Sequence, residues 1–165
     1  MTDEKSPNEI KDIFENDTGE LCLTTRREAR RTVFRLLFEA EFQKPDDPDA
    51  FLADETENLG LRGPEYGYVK EIFDGVFAEK EKIDALIVKF SRGRSIDRLP
   101  RVTLTALRIA IYEMGFYAGR DGEHVPLEIA INEAVEICKL FGDEKSPSYA
   151  NGVLNSAAAE LGLKK

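Results

Sequence analysis

The sequence predicts an all-α fold, built as two small helical bundles packed together. Three observations lead there. Nearly every segment carries apolar residues at spacings of three and four, as amphipathic helices do. Alternating strand patterns and hairpin turns between β-branched runs are missing. The breaks between segments carry helix punctuation: a capping box, first-turn prolines and terminal glycines.

Residues 1–23 read as an acidic tail, in which Ile10, Ile13 and Phe14 form one weak amphipathic turn docked on the body. The first strong helix starts at Thr25, where Thr25-x-x-Glu28 is a capping box, and runs to about Phe42. Its apolar stripe is Ala29, Val33, Leu36, Leu37 and Ala40. A second helix is expected from Asp49 to about Leu59 behind Pro48, and Gly60 and Gly63-Pro64 then break the chain. Glu65 to Phe90 reads as one or two helices, followed by the basic connector from Ser91 to Arg98. The expected subdomains are 24–92, headed by the Arg-rich helix, and 93–165. The second contains a strongly apolar helix from Arg101 to about Tyr117 and another opened by Pro126 and stopped by Gly142. A last helix is capped by Ser146-Pro147 and frays near Gly162.

Composition excludes much. The chain has 165 residues, 42% of them hydrophobic and 33% charged, enough to bury one core. No apolar run approaches the ~18 residues of a membrane span. The polar, acidic start lacks a signal-peptide stretch, so the cytoplasm is the expected location and no membrane is expected as a partner. Cys22 and Cys138 alone make neither a disulfide framework nor a four-ligand zinc site, and Cys138 reads as a small core residue. The single histidine, His124, reads as a loop residue before a helix. GxSxG, GxGxxG and GxxxxGK[ST] are absent. No catalytic residue, metal or cofactor is therefore expected, and the acid pair Asp143-Glu144 reads as a surface loop.

The net charge of −9 disfavours nucleic acid, but the charge is uneven. Residues 1–24 carry two basic and seven acidic side chains, whereas residues 25–45 carry six basic and three acidic. With a Debye length of ~8 Å, a phosphate feels the local patch. Arg27, Arg31 and Arg35 lie one turn apart, with Arg26 and Arg30 beside them. Like charges at this spacing, near a helix N-terminus, oppose helix formation. An anionic partner would offset that, and arginine suits phosphate. The alternative is a solvated face paired with Glu28, Glu39 and the tail. The tail itself reads either as a segment that folds over the arginines or as a solubilising extension.

A second feature is the stretch from Gly142 to Gly152. Lys145 and Ser146 stand at a helix N-terminus, with Tyr149 one turn in. An exposed Tyr149 would stack on an unpaired base; the alternative is a core tyrosine beside a close-packing Asn151-Gly152.

Three stretches resemble the NusB family of transcription antitermination factors: Thr25 to Ala40, Leu107 to Met114, and Val125 to Gly142 followed by Ser146 and Tyr149-Ala-Asn-Gly-Val-Leu154. The resemblance implies a NusB-like fold and a function without covalent chemistry. It implies binding of boxA-type single-stranded RNA from ribosomal RNA leaders, as a heterodimer with the ribosomal protein NusE. Through that complex it implies contact with RNA polymerase and other Nus factors. The family's RNA contacts map onto Arg26, Arg27, Arg30 and Arg31, onto Tyr149 beside Lys145 and Ser146, and onto Phe90, Arg92 and Arg94. A partner-surface aromatic maps onto Phe38. Homodimers that cover the RNA surface also occur in the family. The tail is longer than the family pattern, and Thr103 replaces an acidic residue. A protein–protein adaptor that never meets RNA is a competing reading. So is a relative of the helical domain of rRNA cytosine methyltransferases, for whose methyl-donor domain 165 residues are expected to leave no room.

Overall fold

The computed structural model describes residues 4–13, 21–119 and 124–164; for 11–13 it describes the backbone only. The helices are α1 (Pro7–Ile13), α2 (Arg26–Gln43), α3 (Pro48–Leu59), α4 (Tyr66–Ala78), α5 (Lys80–Phe90), α6 (Arg101–Gly115), α7 (Leu127–Phe141) and α8 (Ser146–Glu160), with a 3-10 turn at Ile96–Arg98. No named strand occurs among the described residues; residues 21–23 run beside 59–62, with one bridge between Cys22 and Arg62.

The punctuation acts as the sequence suggests. Thr25 caps α2 by accepting from the Glu28 amide at 3.1 Å, and Glu28 accepts from the Thr25 amide at 3.0 Å. Asp47 caps α3 ahead of Pro48, and Gly60 ends it in the left-handed conformation that glycine adopts freely. The stretch 65–90 is two helices that meet at Glu79. Pro126 and Lys145 are the N-caps of α7 and α8, so α7 begins one residue later and α8 one residue earlier than the spacing implies.

The sequence of packing puts α6 in the middle. Its residues from Val102 to Ile111 are all buried, and it packs on α2, α4, α5, α7 and α8. A helix buried almost all round must find partners inside the fold for its charged side chains. The connector from Ser91 to Pro100, where the expected subdomain boundary falls, joins α5 to α6. Partly buried ion pairs tie α6 to its neighbours. Arg108 reaches both Asp84 oxygens at 2.9 Å and Glu41 at 2.9 Å, and Arg101 reaches Glu41 at 2.7 Å.

The N-terminal segment packs against this body. Ile10 is 2% exposed; the side chains of Ile13 and Phe14 lie outside the described residues. The Glu4 carboxylate accepts from the amides of Arg101 and Val102, where α6 has no other side-chain cap. Lys5 donates its amide to the Phe141 carbonyl at 2.9 Å and its ammonium to the Leu140 carbonyl at 3.0 Å. Both ends of this clamp meet helix-terminal groups that lack partners within their own helices.

Candidate nucleic-acid interface

The α2 arginines differ sharply in their surroundings. Arg30 is 7% exposed, and its Nε donates to Glu113 at 2.8 Å. Tyr68 donates its hydroxyl to the same carboxylate. Burial lifts the Glu113 carboxyl above its ordinary value, while Arg30 and Tyr68 pull against it. The outward role expected for Arg30 is thus corrected: position 30 adjoins Ala29 on the buried face, and the charge is retained because Glu113 faces it. Arg26 donates to Glu65 at 2.7 Å, and its guanidinium lies 3.8 Å over the Tyr68 ring. The Arg27 side chain is 59% exposed and touches Glu133 of α7 at 3.3 Å. Arg31 is half-buried and has no ion-pair partner among the described residues.

Phe90, Arg92, Arg94, Lys145 and Tyr149 come together elsewhere. Phe90, Arg92, Lys145, Ser148, Tyr149 and Gly152 line a groove of about 600 Å³ between α5 and α8, with Glu144 as its one acidic side chain. Its walls have a physical origin. Helix α5 ends in two successive left-handed residues, Arg92 at φ 57° and Gly93 at φ 84°. For arginine that backbone is strained. Buried Ser91 holds the turn by donating to the Arg94 carbonyl at 2.6 Å, and Tyr149 donates to the Ser91 carbonyl at 3.3 Å. The turn thus sends Arg92 into the groove and sets the Arg94 guanidinium 5.3 Å over the Tyr149 ring. Tyr149 is half-buried. Burial raises its hydroxyl above the ordinary value, against Arg94 and Arg92, so it stays neutral at pH 7.

Two further expectations are corrected. Ser146 is 4% exposed, and its hydroxyl donates to the Asp143 carbonyl at 2.8 Å. It closes the turn into α8, and Ser148 takes its place on the groove. Phe38 is 1% exposed, with its ring centroid 5.5 Å from Phe34 and 4.9 Å from Phe42. It lies one turn from both on the inner face of α2; Phe42, 47% exposed, is the aromatic at the surface. Sequence reasoning also missed Ser91, Ser148 and Gly152. The spacing 145, 148, 149, 152 marks a single helical face, and its small residues leave that face open.

His124 is exposed, with Nδ1 against the Tyr117 carbonyl. Burial pushes the Cys138 thiol up to about 12, which makes it inert. Among the described residues, no three His, Cys, Asp or Glu side chains are placed to hold a metal ion, and no helix is long and apolar enough to cross a membrane.

Fold and surface define a class: a helical protein with a basic, aromatic-lined groove rather than a pocket of reactive groups. Residues 27–159 match the NusB family. The transcription antitermination protein NusB of Acetivibrio thermocellus is 38% identical over 129 residues, covering 78% of this chain and 85% of that protein. Its namesake from Oleidesulfovibrio alaskensis is 32% identical over 143 residues, covering 84% and 90%. The structure of T. maritima NusB superposes with a TM-score of 0.72 at 31% identity, covering 85% of this chain and 94% of that one. The NusB chain of a crystal structure of NusB and NusE in complex with dsRNA gives a TM-score of 0.69 at 27% identity, covering 82% and 96%. The chain belongs to the NusB family of transcription antitermination proteins.

Proposed function

We propose that this chain binds boxA-type single-stranded RNA of ribosomal RNA leader transcripts as a heterodimer with NusE, in the cytoplasm. The complex meets RNA polymerase and other Nus factors and keeps the polymerase from terminating early. The convergence of Arg92, Arg94 and Lys145 on a groove walled by Phe90 and Tyr149 carries this reading. Two flat rings beside three cations suit an unpaired strand, whose bases stack while its phosphates pair with the charges. Arg27 and Arg31 supply further cations on α2. A NusB relative solved with NusE in complex with dsRNA supports the partner assignment. We place the partner face around the C-terminal half of α2, with Phe42 rather than Phe38 as its surface aromatic.

The test is a titration of boxA RNA across salt concentrations, with and without NusE. The heterodimer is expected to bind more tightly, because a basic partner adds charge that an acidic chain lacks. Absence of RNA binding in both arms, with NusE still bound, selects the adaptor reading. Size-exclusion chromatography of the free chain settles whether a homodimer hides the groove.

A further inference from the structure

The groove between α5 and α8 takes its charged walls from two separate stretches of chain. One is the connector from Ser91 to Pro100, which carries Arg92 and Arg94 and runs into α6. The other is the turn from Gly142 to Lys145, which leaves α7 and leads into Tyr149 of α8. Two adjacent residues of the N-terminal segment fasten both, at the helix ends they join. Glu4 accepts from the Arg101 amide at 3.1 Å and from the Val102 amide, where the connector enters α6. Arg101 passes the constraint back along the connector, because its guanidinium donates to the Ile96 carbonyl at 2.6 Å and to the Leu99 carbonyl at 2.7 Å. Lys5 donates to the Leu140 and Phe141 carbonyls at the end of α7. The next residues form the turn in which Asp143 accepts from the Lys145 and Ser146 amides at 3.1 and 2.9 Å. One trans peptide, about 3.8 Å between its Cα atoms, thus links the roots of the two walls. Ile10, 2% exposed, anchors the segment in the core.

We propose that Glu4 and Lys5 are positioning residues for RNA: they hold the connector and the turn after α7 at the separation at which Arg92, Arg94, Lys145 and Tyr149 engage one strand. This rests on the RNA assignment above. Neither residue lines the groove. Both lie outside residues 27–159, which match the family, whereas the groove residues lie inside. The sign of the effect separates positioning from charge. Removing Glu4 takes a negative charge from an acidic chain, so electrostatics alone would tighten the hold on a polyanion. Loss of positioning weakens it, because apparent affinity falls with the fraction of molecules whose groove is assembled.

The experiment follows binding of fluorescein-labelled boxA RNA by anisotropy across salt concentrations, for the full chain alone and with saturating NusE. Glu4→Ala is compared with the wild type, with Glu4→Gln and with Asp47→Ala, which removes the α3 cap and lowers stability away from the groove. Glu4→Ala is expected to bind RNA about fivefold to tenfold more weakly. The slope of log K against log salt should not change, because no phosphate-binding cation is lost. Glu4→Gln keeps an acceptor for the two amides and should recover most of the affinity, and Asp47→Ala should bind as the wild type does. Hydrogen exchange should quicken at the Arg94, Lys145 and Ser146 amides in Glu4→Ala and not in Asp47→Ala. Binding by Glu4→Ala as tight as the wild type's or tighter, or an equal loss in Asp47→Ala, overturns the positioning proposal and leaves the RNA assignment intact. If the wild type binds boxA RNA in neither arm, the RNA assignment falls and the inference falls with it. Should Glu4→Ala fail to fold, Lys5→Met, which releases the Leu140 carbonyl, carries the comparison. Weaker binding at an unchanged salt slope supports positioning there, whereas unchanged binding or a shallower slope overturns it.

Discussion

Arg27 and Arg30 stand three residues apart on one helix, yet the Arg27 side chain is 59% exposed and reaches Glu133 only at 3.3 Å, whereas Arg30 is buried and donates to Glu113 at 2.8 Å. Truncating Arg30 would leave the Glu113 carboxyl buried without its counter-charge, so Arg30→Ala is expected to cost roughly 3–5 kcal/mol of stability. Arg27→Ala removes a mostly exposed guanidinium with a long contact to Glu133, so it should cost about 1 kcal/mol or less. Urea denaturation of the two variants checks this; similar midpoints would refute the burial argument. Tyr149 offers a different contrast. Tyr149→Ala is expected to weaken boxA RNA binding by ~1–3 kcal/mol through lost stacking. Tyr149→Phe keeps the ring and loses only the bond to Ser91, so it should retain most of the affinity. If Tyr149→Phe binds as poorly as Tyr149→Ala, the tyrosine acts through the Ser91 turn and not as a platform.

Helix boundaries with local chemistry were readable from the sequence, because Thr25, Glu28, Pro48 and Gly60 act on backbone groups within a few residues of themselves. The corner at Glu79 carries neither glycine nor proline, so one helix or two stayed open there. The groove residues were readable mainly through family likeness: nothing local tells a half-buried Tyr149 from a core one. Arg30, Ser146 and Phe38 were misplaced because their burial depends on partners far along the chain, such as Glu113. The contact between α2 and α3 illustrates the same dependence and has a measurable consequence. Burial, together with the facing Glu55 carboxylate, pushes Glu39 up to about 7, while Arg35 pulls it down. An acid whose folded value is raised contributes most when protonated in both states. Its contribution is therefore full below about 4.5 and is lost as pH rises to about 7. Glu39→Gln should match the wild type near pH 5 and melt at a higher temperature at pH 8. Parallel melting curves across that range would remove Glu39 as the source.

Over the whole molecule, the proposed function requires an excess of nine negative charges to coexist with a polyanion ligand. Local arrangement makes this workable. Arg30 spends its charge on buried Glu113, Arg101 and Arg108 on half-buried Glu41, and Arg26 on Glu65. Arg27, Arg31, Arg92, Arg94 and Lys145 remain for phosphates, and beyond a Debye length the acidic remainder is screened. The number of cations engaged sets the salt dependence of binding. On a single strand each neutralised phosphate contributes roughly 0.7 to the slope of log K against log salt, so all five together give a slope near −3.5. Arg27→Glu with Arg31→Glu should make that slope shallower by about 1.4 and weaken binding at least roughly tenfold at low salt. The helical circular dichroism should stay unchanged, because neither side chain is buried. A loss of affinity with an unchanged slope would mean that α2 does not touch the phosphates, leaving the groove between α5 and α8 as the sole contact with RNA.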